Sequence, residues 1–410
     1  MNFEYTCYFC QTTVPLDQGP ICAQCAQPMS LRPIELPPGD LFSNSASSIW
    51  DFVPLLPIGD EKNIVSLKEG ATPLIQADRL AQKMDVRQVL LKNDSTNPTG
   101  SFKDRQVSVG ISHAKEMGHH TVAVVSSGNV AAAASAYAAR AGMKAVLLMH
   151  GQAGPTKIAQ ASAYGATVIQ VSSPKPSEVF DLCLQACREQ GWYHLSTAGI
   201  YEPYNVEGSK TIAYEIYQQT GGDLPDWILA PVGGGGLLGG VWRGFLDLQR
   251  MGLIDRIPRM VGVQARGCAP LIQAIENGWT FAESRDRPWP NPQTIAGGIA
   301  DDVLFDGHTA IPAIRETGGR AIAVTDKEIM DGLRLLASTE GVLCELCSAT
   351  TIAALRRIDG LNQSSKVCCL ITGNGIKDLE MLTRDDPKMD RISCSIGELI
   401  KVIEGTDRSH

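Results

Sequence analysis

The chain has 410 residues, of which 44% are hydrophobic and 20% are charged, and its formal net charge is −8. This length is enough for roughly two or three folded domains. The acidic balance and the lack of a basic run argue against a nucleic-acid partner, because binding to a phosphate backbone relies on clustered Lys and Arg.

The first residues lack the basic and apolar regions of a secretory signal peptide. No apolar run approaches the length needed to cross a bilayer. We therefore expect a cytoplasmic protein that does not bind membranes. In such a protein the 12 cysteines are expected to be reduced thiols rather than disulfides.

Two CxxC pairs stand near the start of the chain, Cys7 with Cys10 and Cys22 with Cys25. Two such pairs can point four thiolates at one metal, which is typical of a closed structural Zn²⁺ site without catalytic function. Residues 1–35 are too few to fold around their own core, so the metal would supply the folding energy. The alternative is four free or oxidised cysteines on a mobile tail.

After a proline-rich linker at residues 33–39, β-branched runs alternate with segments of helical pattern. Thr325 and Glu328 have the spacing of a capping box at a helix start. A further helical pattern covers residues 342–355. We predict strands at residues 122–125, 145–149, 167–171, 192–195, 227–232, 260–263, 321–324 and 366–371, and helices at 130–140, 158–164, 179–189, 206–218 and directly after 233–236.

Strands and helices in alternation predict an α/β fold with mostly parallel sheets covered by helices on both faces. The number of strands is too high for one sheet. We therefore predict two doubly wound parallel-sheet domains with a cleft between them, preceded by the small four-cysteine zinc ribbon of residues 1–35. The larger domain would comprise residues 36–105 and 205–410, and the smaller one residues 106–204.

Ligands in such folds collect at the carboxyl ends of the strands. Lys103 lies at a predicted helix start, where the helix dipole lowers the pKa of an amine and favours a nucleophile able to form an imine with an aldehyde. The run of four glycines at 233–236 follows a strand and precedes a helix, so bare backbone N–H groups could bind a phosphate. The glycines also match the dinucleotide spacing, but the strand at 260–263 runs into Gln264 and Ala265 instead of a ribose-binding acid, which disfavours a nicotinamide cofactor.

Several segments resemble, in chain order, the motifs of threonine synthases, a family of fold-type II pyridoxal-phosphate enzymes. The resemblance runs from about residue 65 to residue 380, and the leading zinc ribbon also occurs in some members. The matching segments are residues 69–74 (E-G-A-T-P-L), 97–105 (N-P-T-G-S-F-K-D-R), 126–129 (S-S-G-N), 207–211 (E-G-S-K-T), 340–345 (E-G-V-L-C-E) and 372–378 (T-G-N-G-I-K-D).

This resemblance implies a pyridoxal 5'-phosphate-dependent carbon–oxygen lyase that converts O-phosphohomoserine and water to threonine and phosphate, and we expect a homodimer. Lys103 would hold the cofactor and move protons. The resemblance further implies that Phe102 packs near the cofactor ring, that Asn129 hydrogen-bonds the phenolic oxygen of the cofactor, and that Thr372 reaches its pyridine nitrogen. The cofactor phosphate would be bound by Gly233, Gly234, Gly235 and Gly236. The substrate carboxylate would be bound by Ser126 and Ser127.

The chain departs from the family pattern at two positions. Asn205 stands where these enzymes often carry an arginine that we would assign to the substrate phosphate, and Val130 replaces a hydroxyl residue. Loss of an arginine removes a strong phosphate anchor. Two alternatives therefore stay open. The first is another elimination or replacement on the same cofactor, such as dehydration of serine or threonine, or the synthesis of cysteate or diaminopropionate. The second is a zinc-ribbon regulatory or binding protein that keeps an inactive enzyme fold.

Overall fold

The structure is a computed structural model of the protein, and it describes residues 2–150, 155–172, 176–382 and 391–406. Within these ranges the chain forms strands that fall into three sheets. The strands are β1 (Phe3–Thr6), β2 (Thr13–Pro15), β3 (Ser30–Pro33), β4 (Leu74–Gln76), β5 (Gln88–Asn93), β6 (Thr121–Val125), β7 (Lys144–His150), β8 (Thr167–Val171), β9 (Tyr193–His194), β10 (Trp227–Pro231), β11 (Arg259–Ala265), β12 (Arg320–Val324) and β13 (Lys366–Ile371).

Helices connect these strands and cover the sheets. The first-turn capping box predicted at Thr325 is present, with Glu328 as its partner. The helices are α1 (Asp78–Met84), α2 (Lys103–Glu116), α3 (Asn129–Ala141), α4 (Pro155–Ala163), α5 (Pro176–Gln190), α6 (Lys210–Gln219), α7 (Gly236–Arg250), α8 (Pro270–Glu276), α9 (Phe281–Arg285), α10 (Gly307–Glu316), α11 (Asp326–Glu340), α12 (Leu346–Ala354), α13 (Leu379–Leu382) and α14 (Ile396–Thr406).

The larger sheet has the strand order β12-β11-β10-β13-β5-β4. Its neighbours pair in parallel except β4, which is antiparallel to β5 at the sheet edge. Every residue of the inner strand β10 is buried, as expected for a parallel strand covered on both faces. The predicted α/β architecture is confirmed, and the antiparallel edge strand is a detail that the pattern did not predict.

The smaller sheet has the order β8-β7-β6-β9, and all its pairs are parallel. Its strands come from residues 121–194, whereas the larger sheet takes its strands from residues 74–93 and 227–371. The chain divides into two compact units, residues 1–377 with all three sheets and residues 378–410 with α13 and α14. Among the described helices, none combines the length and the apolarity that a membrane span requires.

Aromatic and aliphatic side chains of α6 and α7 form the core on one face of the larger sheet. Trp242 and Phe245 of α7 pack there with Ile212 and Tyr214 of α6 and with Ile228 of β10, and all five are at most 1% exposed. Burial of this apolar area fixes α7, whose first residue, Gly236, is the last of the glycine run. The start of α7 is therefore held in a defined place at the end of β10.

One predicted helix is too long. The pattern of residues 342–355 predicted a helix that includes Cys344, but α12 begins at Leu346. Cys344 instead forms an isolated bridge with Asn374, and the Glu345 N–H donates to the carbonyl of Gly373 at 2.9 Å. These long-range hydrogen bonds replace the first helical turn and bring residues 344–345 beside the loop that follows β13.

Candidate active site

The loop before Lys103 is hydrogen-bonded to the loop that follows β13. The Phe102 N–H donates to the Thr372 carbonyl at 2.9 Å, and the Asn374 N–H donates to the Gly100 carbonyl at 3.0 Å. Gly100 has φ +83°, a left-handed conformation that glycine adopts without a steric cost. Two motifs that lie about 270 residues apart in the chain thus pair like short strands, which places Lys103 beside Thr372.

Lys103 is the first residue of α2 and is half-buried. Its Nζ donates to Gln106 Oε1 at 3.1 Å and lies 4.5 Å from the centre of the Phe102 ring. Burial lowers the pKa of Lys103 to about 8, while the carboxylates of Asp301 and Asp306 act in the opposite direction. The sequence predicted a lowered pKa from the helix dipole. The direction agrees, but burial is the main cause.

The four glycines form the turn between β10 and α7. Gly235 has φ +103°, which disfavours any other residue there. A Cβ on Gly236 would lie 2.8 Å from Asp306 Oδ2 and 3.1 Å from the Thr197 carbonyl oxygen. The first N–H groups of a helix have no acceptor within the helix and carry a partial positive charge. The turn is closely packed, so only glycines fit, and the N–H groups at the start of α7 are the kind of donors that an anion such as a phosphate requires.

Two carboxylates that sequence reasoning missed lie against the glycine turn. The Asp306 N–H donates to the Gly234 carbonyl at 2.7 Å, and Asp306 Oδ1 accepts from the Gly199 N–H at 2.8 Å. Burial raises the pKa of Asp306 to about 7 and raises that of Asp301, against the opposing effects of nearby Lys103 and other donors. Neither residue belongs to a motif, so no local pattern could have found them.

The loop of Ser126, Ser127, Gly128 and Asn129 lies between β6 and α3 and is half-buried throughout. Ser126 Oγ accepts from the Gly128 N–H at 3.2 Å. Asn129 begins α3, so the loop presents its donors at a helix N-terminus, where a carboxylate is stabilised. Val130 packs into the core of the smaller sheet.

Thr372 is 4% exposed, and its Oγ1 lies 2.9 Å from Ser348 Oγ. Ser348 Oγ also accepts from the N–H groups of Thr372 and Gly373 at 2.9 and 3.1 Å. Both side chains in this pair are neutral. A pyridine nitrogen placed here would meet a hydroxyl, which does not hold the ring in its protonated form as a carboxylate does.

These groups fit pyridoxal 5'-phosphate. Lys103 supplies an amine of lowered pKa, the glycine turn supplies donors for a phosphate, and Thr372 supplies a neutral hydroxyl. When bound, this cofactor withdraws electrons from the carbon that carries the substrate amine, while the protein supplies orientation and proton transfer.

A network of buried charges lies behind Lys103. Arg105 pairs with Asp94 and Glu215, Lys92 pairs with Glu215, and all four side chains are at most 3% exposed. Burial and the neighbouring charges act on the pKa of Glu215 in opposite directions, and Arg105 and Lys92 prevail and hold it at about 2. Two cations and two anions balance here. The network joins the lysine loop to β5 and α6, so it fixes the position of the helix that begins at Lys103.

The four N-terminal cysteines lie together. Their sulfur atoms are all within 4.8 Å of one another, and Cys7–Cys25 and Cys10–Cys22 are 3.5 Å apart. Four sulfurs at about 2.3 Å from one Zn²⁺ would be about 3.8 Å from each other. The cluster is therefore compatible with a tetrahedral metal site, and its cysteines lie in the segments that connect the strands of the three-stranded antiparallel sheet β2-β1-β3.

Asn205, which stands where the family often carries an arginine, is fully buried. Asn205 Nδ2 donates to the Ser196 carbonyl at 2.7 Å, and the side chain is packed beside Gly110 of α2. It supplies no charge for an anion.

Comparisons with known proteins identify the family of the chain. A model of the family described as pyridoxal-phosphate dependent enzyme matches residues 65–373. The threonine synthase of Methanocaldococcus jannaschii is 37% identical over 361 residues, which cover 87% of either chain. That of Synechocystis sp. is 41% identical over 335 residues, 80% of this chain and 83% of the relative. That of Mycobacterium tuberculosis is 37% identical, with 82% and 90% covered.

Solved structures share the fold. Maize serine racemase has a TM-score of 0.64 at 21% identity, with 83% of this chain and 93% of that chain covered. Serine racemase from Dictyostelium discoideum has a TM-score of 0.61 at 24% identity, with 74% and 92% covered. Similarity at these identities shows the architecture alone.

Proposed function

This chain belongs to the pyridoxal-phosphate dependent enzymes and, within them, to the threonine synthases, and from that premise we propose that it converts O-phosphohomoserine and water to threonine and phosphate. The proposal rests on one observation above the others. The amine of Lys103, the glycine turn and Thr372 lie around one place at the ends of β10 and β13. Relatives whose sequences match this chain along more than 80% of their length are named threonine synthase.

The proposed roles follow from the chemistry of each group. The Lys103 amine, with a pKa of about 8, can take up and return protons near neutral pH, first at the substrate Cα and then at Cβ. The N–H groups at the start of α7 bind the cofactor phosphate. Ser126 and Ser127, at the start of α3, receive the substrate carboxylate. Phosphate leaves from Cγ and takes up the proton that water releases, the hydroxyl of water adds at Cβ, and the two protons removed return to Cγ, which becomes the methyl group, and to Cα.

We also propose that Cys7, Cys10, Cys22 and Cys25 hold one structural Zn²⁺. The clustering of the four sulfurs supports this assignment. The closed set of four thiolates leaves no place for a substrate, so the metal takes no part in the reaction. We further propose that the active form is a cytoplasmic homodimer. Light scattering of the purified protein tests the homodimer, and a particle with the mass of one chain would exclude it.

A second reaction on the same cofactor stays a candidate because of Asn205. A neutral, fully buried side chain at the position expected for an arginine removes one anchor for a substrate phosphate. Dehydration of serine or threonine, or replacement at Cβ, needs no such anchor.

A substrate comparison separates these candidates. The purified protein, loaded with pyridoxal phosphate, is incubated with O-phosphohomoserine, L-serine, L-threonine, and O-phosphoserine with sulfite. Equal amounts of phosphate and threonine from the first substrate support the proposal. Oxo acids formed from serine or threonine, or phosphate released from O-phosphoserine but not from O-phosphohomoserine, would contradict the proposal and support the second reaction. Lys103→Ala is the control and should be inactive with every substrate.

A further inference from the structure

Two charged side chains from the C-terminal part of the fold hold the carboxamide of Asn129. Its Nδ2 donates to Glu345 Oε2 at 2.7 Å, and its Oδ1 accepts from Lys377 Nζ at 2.8 Å. An ammonium group can only donate and a carboxylate can only accept. The oxygen end of the amide therefore faces Lys377 and the nitrogen end faces Glu345, and the reversed amide would place like partial charges against each other at both ends.

We infer that Lys377 and Glu345 are positioning residues that fix the orientation of the Asn129 amide, so that its second N–H is available to the cofactor phenolic oxygen. This inference rests on the proposed function and on the role that the family resemblance implies for Asn129, contact with that oxygen. An asparagine next to a ligand can present either a donor or an acceptor. A phenolate oxygen accepts, so a freely rotating amide would present the wrong end part of the time.

Two motif glycines make room for this arrangement. A Cβ on Gly373 would collide with the carboxylate of Glu345, and a Cβ on Gly100 would lie 3.1 Å from Lys377 Cε. Glu345 is 2% exposed, and Lys377 is half-buried. Gly100 belongs to the loop that precedes Lys103, so Lys377 contacts both the lysine loop and Asn129. The spacing of T-G-N-G-I-K-D thus gains a physical reason: its first glycine admits Glu345, and its lysine reaches Asn129.

A double-variant cycle tests the inference through the cofactor alone. The dissociation constant of pyridoxal phosphate and the visible absorbance of the bound cofactor across pH are measured for wild type, Lys377→Met, Asn129→Ala and the double variant. Lys377→Met should weaken cofactor binding roughly tenfold, the worth of one hydrogen bond to a charged group, and change the absorbance spectrum. In the Asn129→Ala background it should add nothing, because coupled residues are not additive.

Conservative variants separate positioning from a general structural effect. Lys377→Arg retains a donor and should restore the wild-type spectrum, whereas Glu345→Gln should shift it, since a glutamine pairs with either end of the Asn129 amide. Lys327→Met, at an exposed lysine of α11, is the matched control and should change neither readout. Circular dichroism checks that every variant is folded.

The outcomes distinguish the inference from the proposed reaction. Additive losses in the double variant, a wild-type spectrum in Lys377→Met, or no cofactor uptake by wild type would overturn the inference. If wild type takes up the cofactor and the double-variant cycle gives the expected non-additive result, but no threonine forms from O-phosphohomoserine, the inference stands and the proposed reaction is excluded.

Discussion

The Lys103 amine combines two requirements that conflict in water. In its proposed role it must be neutral to attack an aldehyde, and it must be a strong enough base to move a proton. Burial brings its pKa from the ordinary 10.5 to about 8, and the opposing carboxylates of Asp301 and Asp306 prevent a larger fall. The result is an amine that is partly neutral near physiological pH and still basic.

A pH profile of cofactor attachment follows from this pKa. Only the neutral amine reacts, so at a fixed cofactor concentration the attachment rate should rise about tenfold per pH unit up to about pH 8 and then level off. Borohydride trapping at set times, followed by mass spectrometry of the peptide with Lys103, measures the rate. A rise that continued to pH 10 would mean that the amine is solvated like a surface lysine. Lys103→Ala should show no trapped product, which also tests the inactive-enzyme alternative.

The glycine turn gives a second prediction at this scale. In Gly236→Ala the new methyl group would lie 2.8 Å from Asp306 Oδ2 and 3.1 Å from the Thr197 carbonyl oxygen. The turn must therefore shift, and its N–H groups would no longer point at the cofactor phosphate. We expect cofactor binding to weaken about tenfold or more, because one or more charge-assisted hydrogen bonds are lost. Gly297→Ala is the matched control, since a Cβ there meets nothing within 4 Å. Equal affinities for the two variants, by equilibrium dialysis, would exclude this role of the turn.

Motifs predicted the residues of the site that lie within short continuous segments. Lys103, the glycine turn and Thr372 each stand where a strand or loop meets a helix or another strand, which local sequence shows. Gln106, Asp301 and Asp306 have no such signal, because their role comes from tertiary packing. Glu345 and Lys377 belong to segments that resemble the family motifs, but the contact of both side chains with Asn129 depends on how those segments pack against each other in the fold.

At the scale of secondary-structure elements, the sequence correctly predicted the strands and helices whose hydrophobic periodicity agrees with the burial of their residues. The strand at residues 366–371 and the strand at 167–171 have the predicted bounds. The helix over residues 342–355 was partly wrong, since hydrogen bonds to Gly373 and Asn374 hold residues 344–345 outside α12. Such bonds join positions about 30 residues apart, and no local pattern contains them.

The buried charge network joins three elements, and its loss should be costly. In Glu215→Ala, Arg105 and Lys92 each keep a charge that has lost a partner in a site at most 3% exposed. Breaking a buried pair in this way costs about 3–5 kcal/mol. Urea unfolding, monitored by circular dichroism, measures the loss. Lys327→Ala breaks the exposed pair with Asp331 on α11 and should cost no more than about 0.5 kcal/mol.

The same network predicts the acid side of the stability profile. Glu215 has a folded-state pKa of about 2, below its ordinary 4.5. A depressed carboxyl pKa stabilises the folded state above the unfolded pKa, and that contribution is lost as pH falls from about 4.5 toward 2. Glu215→Gln should therefore show a flatter loss of stability over this window than wild type. The free energy of unfolding is measured at several pH values for both proteins. If it falls equally steeply with decreasing pH in wild type and Glu215→Gln, other groups are responsible for the acid sensitivity.

At the scale of the whole first unit, the cysteine cluster is connected to the catalytic part through α7. The ring of Tyr8 lies 5.1 Å from that of Trp242, Arg243 donates to the Leu31 carbonyl at 3.4 Å, and Arg250 donates to the Pro33 carbonyl at 3.1 Å. The start of the same helix carries the donors of the glycine turn. The small four-cysteine module thus supports, from outside, the helix that is proposed to bind the cofactor phosphate.

Loss of the metal should therefore affect the cofactor site indirectly. In Cys7→Ser the Zn²⁺ content should fall from one per chain to near zero, the ribbon should loosen, and α7 should lose packing such as the Tyr8–Trp242 pair. An aromatic pair contributes about 0.5–1.5 kcal/mol, so cofactor binding should weaken by at most about tenfold, while trapping at Lys103 still occurs. Metal analysis, thermal unfolding and cofactor titration measure the three effects. Cys394→Ser removes an exposed thiol outside the cluster and should change none of them. Complete loss of cofactor binding in Cys7→Ser, with the remaining fold intact, would instead mean that the metal module belongs to the catalytic site itself.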